Sequence, residues 1–524
     1  MGKEFCGHDS ETLQESLQKQ CLAYFQTYHV ARLDELKTHL ENEGWTLCPV
    51  KLSFSPRSLT EFGHMKQSLK SPSKSPSKRS SISSSEAGGS YFVRYWADGN
   101  PFDEGLREVG CEEDILVFDV AHSDEASSEE EESLGTTANL QDNLASAVNS
   151  RGEREWVAPP PRQGFCLANT SLMVLRQFGR YIHLMKLLHP ISSDVLLGIK
   201  QLFEFYLFSV YKVFSNHQVH SFNGSSLSPS LIEFFDRVEK DVIFKSRQVT
   251  ESDADGNIVS RDVYSGLVRA PSTSLSILPD LNSTKYKGLL EKIVAVESCV
   301  YLYNQLLSLL PYIKECLENV VLADEYFSKQ LSIVNTLRDC VYLSSINSMI
   351  GLEPVLAAIT KIKWDLKEVR SQHSEYVDVL IQRFTDFRQK FDLLSGTVPV
   401  EFEVRTYIWK LAFKSAAHLF VEGFSTAKKC TNEGRALMQL DYRQFVLKME
   451  KLTDIRPIPY QDFVTTYIKA FYIPESELEG WVEAHREYSA AQLTALVNAV
   501  AYSNNKARQK LNNIVNDLQS KIRR

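Results

Sequence analysis

Few residues in this chain have the types and spacing that chemistry requires. The nearest approach is the run from Glu251 to Asp262, where Glu251, Asp253 and Asp255 place carboxylates at loop positions 1, 3 and 5 and Gly256 stands at position 6. That order follows a calcium loop, in which the glycine allows the sharp turn and the carboxylates converge on the ion. The departures weigh more. Position 1 is Glu, position 12 is the shorter Asp262 where a bidentate Glu is wanted, and Pro271 arrives before an exit helix can form. The run reads as a solvated hairpin-like loop, with no metal and no cofactor expected. His29 has no second histidine at i+4, and His373 and His485 are each isolated among aromatics, so structural roles are expected. The chain contains no GxxxxGK[ST], HExxH, GxSxG or dinucleotide glycine fingerprint. Nothing gives a positive reason to propose an enzyme.

Recognition chemistry is better represented than catalysis. Asn100-Pro101-Phe102-Asp103-Glu104 combines a turn-initiating Asn-Pro with an aromatic residue and two acids. Such a turn presents Phe102 to a small apolar pocket while Asp103 and Glu104 meet basic residues at its rim, and the pattern resembles the ligand taken by EH domains. Ser71 and Ser75 head two S-P-x-K units of the form that proline-directed kinases accept. Ser127 and Ser128, three residues before Glu130 and Glu131, suit an acidophilic kinase. Phosphates there would change binding and not folding, because the surrounding run is too polar to order itself.

The elements that must position these residues are helical. A chain of 524 residues with 43% hydrophobic residues has material for several cores, and only 23 glycines argues against a turn-rich β architecture. Nine cysteines, an odd number without a CxxC pair, and no basic-then-apolar leader point to a reducing cytosol. Cys299, Cys316 and Cys340 sit in helical patterns as small core residues. The net charge of −8 is uneven: residues 103–155 hold 16 acidic and 3 basic residues, so the rest of the chain is near +5. That balance argues against a nucleic-acid binder. Val195–Phe214 is long enough to span a bilayer, but Lys200, Glu204 and Lys212 interrupt it and mark a buried core helix instead.

Taken in order, residues 1–50 carry one helix from Glu11 to Gly44, with Leu22, Phe25, His29, Leu33, Leu36 and Leu40 at spacings of 3 and 4. Its stripe begins so near Met1 that it is expected to be the end of something longer. Residues 51–163 form a disordered Ser/Pro-rich and acidic linker. A helical bundle occupies 164–350, with helices at 169–188, 195–214 and 231–244 and a loop-rich insert at about 215–284. Lys285–Leu310 is a strong helix stopped by Pro311, followed by helices at 311–321 and 326–349. A C-terminal bundle occupies 351–524. Its pattern is nearly continuous from Val355 to Leu394, a rod of ~60 Å at 1.5 Å per residue. Val404–Phe424 follows. Met438, Tyr442, Phe445, Met449 and Leu452 then share a helix face capped at Thr431 or Asn432, and Arg456-Pro457-Ile458-Pro459 makes an elbow before a second helix near Asp462. Pro474 separates that helix from 475–488, Ser489 caps 490–502, and Lys506–Arg524 is a basic amphipathic helix with Lys506, Arg508, Lys510, Lys521, Arg523 and Arg524 on its polar side. A solvated terminal helix is expected there, a membrane-surface or partner-helix role being the alternative.

Two of these strings carry a resemblance. Residues 432–441, NEGRALMQLD, followed by residues 452–459, LTDIRPIP, resemble the C-terminal region of the syndetin family. So do residues 485–489 (HREYS), 506–511 (KARQKL), 363–368 (KWDLKE) and 28–36 (YHVARLDEL). The resemblance implies an all-α fold, an elongated rod of stacked helical bundles of the multisubunit tether type with a long disordered acidic loop. It implies a non-enzymatic subunit of the endosome-associated recycling protein (EARP) complex, tethering recycling vesicles for SNARE-dependent fusion. Partners would be the EARP subunits shared with the Golgi-associated retrograde complex, SNAREs and EH-domain proteins, with peripheral membrane contact at recycling endosomes and the trans-Golgi network. Family members carry a coiled-coil N-terminal half that precedes the part matched here, so the chain is expected to be a fragment, a short isoform or a partial gene model. A phospho-regulated adaptor without tethering, and a calcium sensor built on Glu251, are the competing readings.

Overall fold

The computed structural model describes residues 11–51, 54–63, 65, 166–214, 228–243, 245–252, 258–270, 288–317, 319–396 and 400–523. They form fourteen helices and one hairpin. The N-terminal helices are α1 (Glu11–Glu41), α2 (Asn169–Leu187), α3 (Ser192–Phe214), α4 (Pro229–Asp241), α5 (Leu289–Glu315) and α6 (Val320–Ile350). The rest are α7 (Glu353–Ile359), α8 (Glu375–Ser395), α9 (Phe402–Ser425), α10 (Asn432–Thr453), α11 (Gln461–Ala470), α12 (Leu478–Ala484), α13 (Ala490–Val500) and α14 (Asn505–Arg523). The fold is all-α in its body, and one contiguous apolar core runs from Phe25 to Val515.

The hub of the N-terminal part is α3, which touches α1, α2, α4, α5 and α6. A helix with five neighbours has no solvent face to keep polar, which is why its sequence is apolar nearly all round. Glu204, one of the charges that interrupt it, is fully buried and paired with Arg237 of α4 at 2.7 Å. Among the described helices α5 alone is long and apolar enough to cross a membrane unaided. Its Ile293–Cys299 run is buried against its neighbours without a break, as in a core helix.

α6 is the long element at the centre. Asn319 caps its start by accepting the Val321 N–H, and Gly351 ends it in the left-handed region at φ 66°. It packs on α3, α4 and α5 on one side of the molecule and on α8 and α9 on the other. C-terminal to it, α8 lies on α10, α9 holds α7, α11 and α13, and α14 closes over α12 and α13.

Four sequence expectations are corrected. The rod from Val355 to Leu394 does not exist as one helix: α7 stops at Ile359 and α8 starts at Glu375, and the intervening connection buries Trp364. Apolar residues recur at 3 and 4 across that connection without marking one helix face: Trp364 is buried, Leu366 half-buried and Val369 exposed. Pro311 does not stop α5, which continues to Glu315. A proline so near the end removes one hydrogen bond, while Ile313 beyond it is fully buried and anchors the last turn. Residues 54–65, assigned to the linker, pack against α2 as two short 3-10 turns with Phe54, Leu59, Phe62 and Met65 buried and Glu61 bonded to Arg176. The helix expected over 475–488 is reduced to the seven residues of α12.

The run read as a hairpin-like loop is a hairpin. β1 (Lys245–Ser252) and β2 (Ile258–Ser265) pair antiparallel with Ser252 opposite Ile258. Glu251 faces Val259 and Asp262 faces Gln248 in that register, so the two ends of the calcium-loop pattern lie three residues apart along an extended ladder.

Candidate functional site at the elbow

Two of the strings that carried the family resemblance, 363–368 and 432–441, are brought together in space. Thr431 caps α10, its hydroxyl accepting the Gly434 N–H at 3.2 Å. The same hydroxyl accepts the Leu366 N–H at 3.1 Å and donates to the Leu366 carbonyl at 2.9 Å. The Thr431 N–H donates to the Trp364 carbonyl at 3.2 Å. One residue therefore serves as a helix cap and as the partner of a second backbone segment. Trp364 is buried edge-on against Phe424, with ring centroids 5.4 Å apart. Further along α10, the fully buried Asp441 accepts the Ser374 N–H at 2.8 Å, at the start of α8. Burial lifts the Asp441 carboxyl above its usual range, and the Ser374 N–H opposes that shift.

Arginines complete the joint at the other helix ends. Arg383 of α8 donates to the Ile350 and Gly351 carbonyls at 3.0 and 2.8 Å, closing the C-terminus of α6. Arg388 donates to the Leu452 carbonyl at the end of α10. Arg435 donates to the Phe471 carbonyl just beyond α11 and lies 4.1 Å over the Tyr472 ring. The last carbonyls of a helix have no partner within it and carry partial negative charge, so a guanidinium from another element satisfies both needs. At the N-terminal end of the molecule the complement appears: Glu43 accepts the Thr170 N–H at 2.8 Å in the first turn of α2 and the Trp45 N–H at 2.9 Å.

The elbow has its own geometry. Asp454 ends α10 in the left-handed region at φ 58°, the Arg456–Pro457 peptide is cis, and Tyr460 enters α11 at φ 64°. Ile458 is buried between the two prolines. Tyr467 and Tyr488 reach the Gln492 and Phe463 carbonyls at 2.9 and 2.7 Å, and Ser489 and Gln492 form a reciprocal capping box at α13.

The remaining polar groups are held structurally. His29 contacts Tyr181 Oη and Gln201 Oε1, both at 2.8 Å, and is the satisfied interior histidine expected from its place on the apolar stripe. His373 sits 3.0 Å from Asp378 and not among aromatics, whereas His485 stacks on Trp481 and contacts Glu487. Burial pushes the Cys166 and Cys430 thiols up to about 12 and Cys48 to about 11, far from the thiolate a nucleophile needs. A half-open pocket of about 180 Å³ beside Ile182, Lys186 and Tyr312 is below the ~300 Å³ typical of ligand sites. The arrangement can hold surfaces together.

Asn100, Pro101, Phe102, Asp103, Glu104, Ser71, Ser75, Ser127 and Ser128 all lie outside the described residues. The joint itself was not anticipated, although two signals existed. Gly434 is costly in a helix's first turns unless something approaches it closely, and Asp441 is a charge set next to the buried stripe residues Met438 and Tyr442.

A family model described as "Syndetin, C-terminal" matches residues 286–516, from the start of α5 into α14, and so contains the whole joint. Syndetin of Gallus gallus is 37% identical over 543 residues, covering 99% of this chain and 56% of that protein. Syndetin of Rattus norvegicus matches at the same identity and coverage, and syndetin of Mus musculus is 37% identical over 536 residues, 98% of this chain and 55% of that protein. The chain thus spans about half the length of the curated relatives it matches. No solved structure matches it. With nearly its full length aligned to these relatives and the family's C-terminal domain folded around the joint, the chain belongs to the syndetin family.

Proposed function

We propose that this chain is a non-enzymatic subunit of a vesicle-tethering complex in endocytic recycling, promoting SNARE-dependent fusion of vesicles returning cargo from endosomes to the plasma membrane. Membership of the syndetin family carries the reading. The structure supports it in kind: long helices tied end to end by interhelical caps make a stiff body that binds through faces. Its partners are the EARP subunits shared with the Golgi-associated retrograde complex, and SNAREs. It acts in the cytoplasm, peripherally on recycling endosomes and trans-Golgi membranes. Affinity purification from cells tests this with the whole chain beside residues 165–524. Recovery of the other tether subunits supports the proposal; their absence from both baits defeats it.

A second reading rests on Asn100-Pro101-Phe102-Asp103-Glu104. In it the chain is a helical adaptor that recruits EH-domain proteins, regulated by phosphates at Ser71, Ser75, Ser127 and Ser128. A peptide of residues 98–106 competing for an isolated EH domain, against the same peptide with Phe102→Ala, decides the motif. Equal weak binding by the two peptides ends it. Loss of partners on deleting 70–133, with tether subunits unaffected, would favour the adaptor over the tether.

A further inference from the structure

Four segments distant in sequence share one end of the C-terminal bundle. Thr431 binds the backbone of Trp364 and Leu366, which places 361–370 beside 426–435. Arg435 reaches the Phe471 carbonyl and covers Tyr472, adding 469–475. Lys429 lies 4.4 Å over the Tyr502 ring, and Asn504 bonds Glu475, adding 501–510. These segments hold eleven Lys or Arg and four Asp or Glu, a local net of +7 in a chain whose total is −8. Lys363, Lys367, Lys428, Lys429, Lys469 and Lys506 are all exposed.

We infer that this end of the molecule is a docking face for an anionic lipid surface. Three observations select that occupant. The charge is mostly lysine, a mobile point charge suited to a diffuse layer of phosphates and carboxylates, in contrast to the bidentate fork that arginine offers to a single defined partner. Apolar and aromatic tips stand among the lysines: Val369 is 71% exposed, Tyr502 52% and Tyr472 46%. A tyrosine ring with its hydroxyl in water matches the headgroup level of a bilayer, where such residues are enriched. A peptide offering acids alone would satisfy the lysines and leave those tips without an apolar partner. The inference stands independently of the tethering proposal, since it concerns only what this face meets.

Flotation of the full chain with vesicles tests it. Binding is expected to phosphatidylcholine vesicles that also contain phosphatidylserine and not to phosphatidylcholine alone, with loss at high salt as the Debye length shrinks from ~10 Å at 0.1 M to ~3 Å at 1 M. Lys428→Glu/Lys429→Glu/Lys506→Glu should lower partitioning on the order of 100-fold, with an unchanged thermal melt. Should that variant melt early, the neutral Lys428→Gln/Lys429→Gln/Lys506→Gln replaces it, with a smaller loss in the same direction. Lys19→Glu/Lys240→Glu/Lys329→Glu makes the same charge change on α1, α4 and α6 and should leave binding intact. Equal binding to neutral vesicles, no binding to anionic ones, or the same loss in both triple variants overturns the inference. So does capture of a 103–155 peptide by the lysine face when vesicles are ignored, which would make this an acidic-peptide site.

Discussion

The Cα of Gly434 faces the carbonyl oxygen of Trp364 so closely that a side-chain carbon built on it would overlap that oxygen. The first turn of α10 and the connection before α8 are thus in backbone contact, and the glycine is there to permit it.

Gly434→Ala should therefore destabilise by about 3 kcal/mol, since backbone and not a flexible side chain would have to yield. Thr431→Val, which removes the cap and both bonds to Leu366, should cost about 2 kcal/mol, and Thr431→Ser less than half of that. Gly480 in α12 is the control, because a Cβ there meets nothing; Gly480→Ala should stabilise by about 0.5–1 kcal/mol. Urea unfolding curves of the four variants give all these values.

Glu43 acts as the N-terminal cap of a helix to which it does not belong. Glu43→Ala should cost about 2 kcal/mol, because the Thr170 N–H and hydroxyl in the first turn of α2 lose their acceptor in a buried place. Glu43→Gln, which keeps one acceptor oxygen, should cost about 1 kcal/mol. A loss below the error of the melt would mean that other groups take over the cap.

His29 fixes a pH dependence. Gln201 Oε1 can only accept, so Nε2 carries the proton and Nδ1 accepts from the Tyr181 hydroxyl. Burial lowers its folded pKa from 6.5 to about 4. Between those values the unfolded chain binds a proton that the folded chain refuses, so this contribution to stability is complete above pH 6.5 and falls as the pH drops toward 4. The loss should reach about 2–3 kcal/mol. Subtracting the stability-versus-pH curve of His29→Gln from that of the wild type isolates it. His418, lowered to about 4 by burial, and the buried carboxyls Glu204, Glu297 and Asp441, which burial raises, titrate alike in both proteins. A difference curve flat between pH 7 and 4 would refute the assignment.

Glu204 and Arg237 should behave as a unit. Arg237 makes two bonds to the Glu204 carboxylate at 2.7 and 3.1 Å, and Gln330 adds a weaker one at 3.3 Å. Arg237→Ala should cost about 3 kcal/mol by leaving a buried carboxylate nearly unpaired, whereas Glu204→Met/Arg237→Met should cost markedly less. A double-mutant cycle that gives simple additivity would show the pair to be uncoupled.

Helix existence was legible in the sequence because burial imposes a period. Spacing alone names Leu22, Phe25, His29, Leu33, Leu36 and Leu40; the last five are buried on α1 and Leu22 is half-buried. The same logic failed between Ile359 and Glu375, where Leu366, Val369 and His373 keep spacings of 3 and 4 while lying in an irregular connection. Thr431, more than sixty residues away, binds the backbone of that connection at Trp364 and Leu366, and no local pattern encodes it. Glu43 at α2, Asp441 at α8 and Arg383 at α6 are invisible for the same reason: each completes the end of an element elsewhere in the chain. Residues 54–65 show the converse. Their run is short and polar enough to pass for linker, yet Phe62 and Leu59 find a ready face on α2. Of the lysine face only Lys506, Arg508 and Lys510 were legible, since its four segments meet through contacts that span up to about 70 positions of sequence.

One mechanical outcome follows from α6. Thirty-one residues of one helix, ~46 Å long, are splinted on both flanks, and Arg338 near its middle grips Glu297 of α5 at 2.9 Å while lying 4.0 Å over the Tyr407 ring of α9. Load applied to either extremity passes along an unbroken ladder of peptide hydrogen bonds with no slack segment between. Pulled from its two ends in an optical trap, the body should yield as a single cooperative rupture, and a strut of that kind can set a fixed stand-off between whatever it connects.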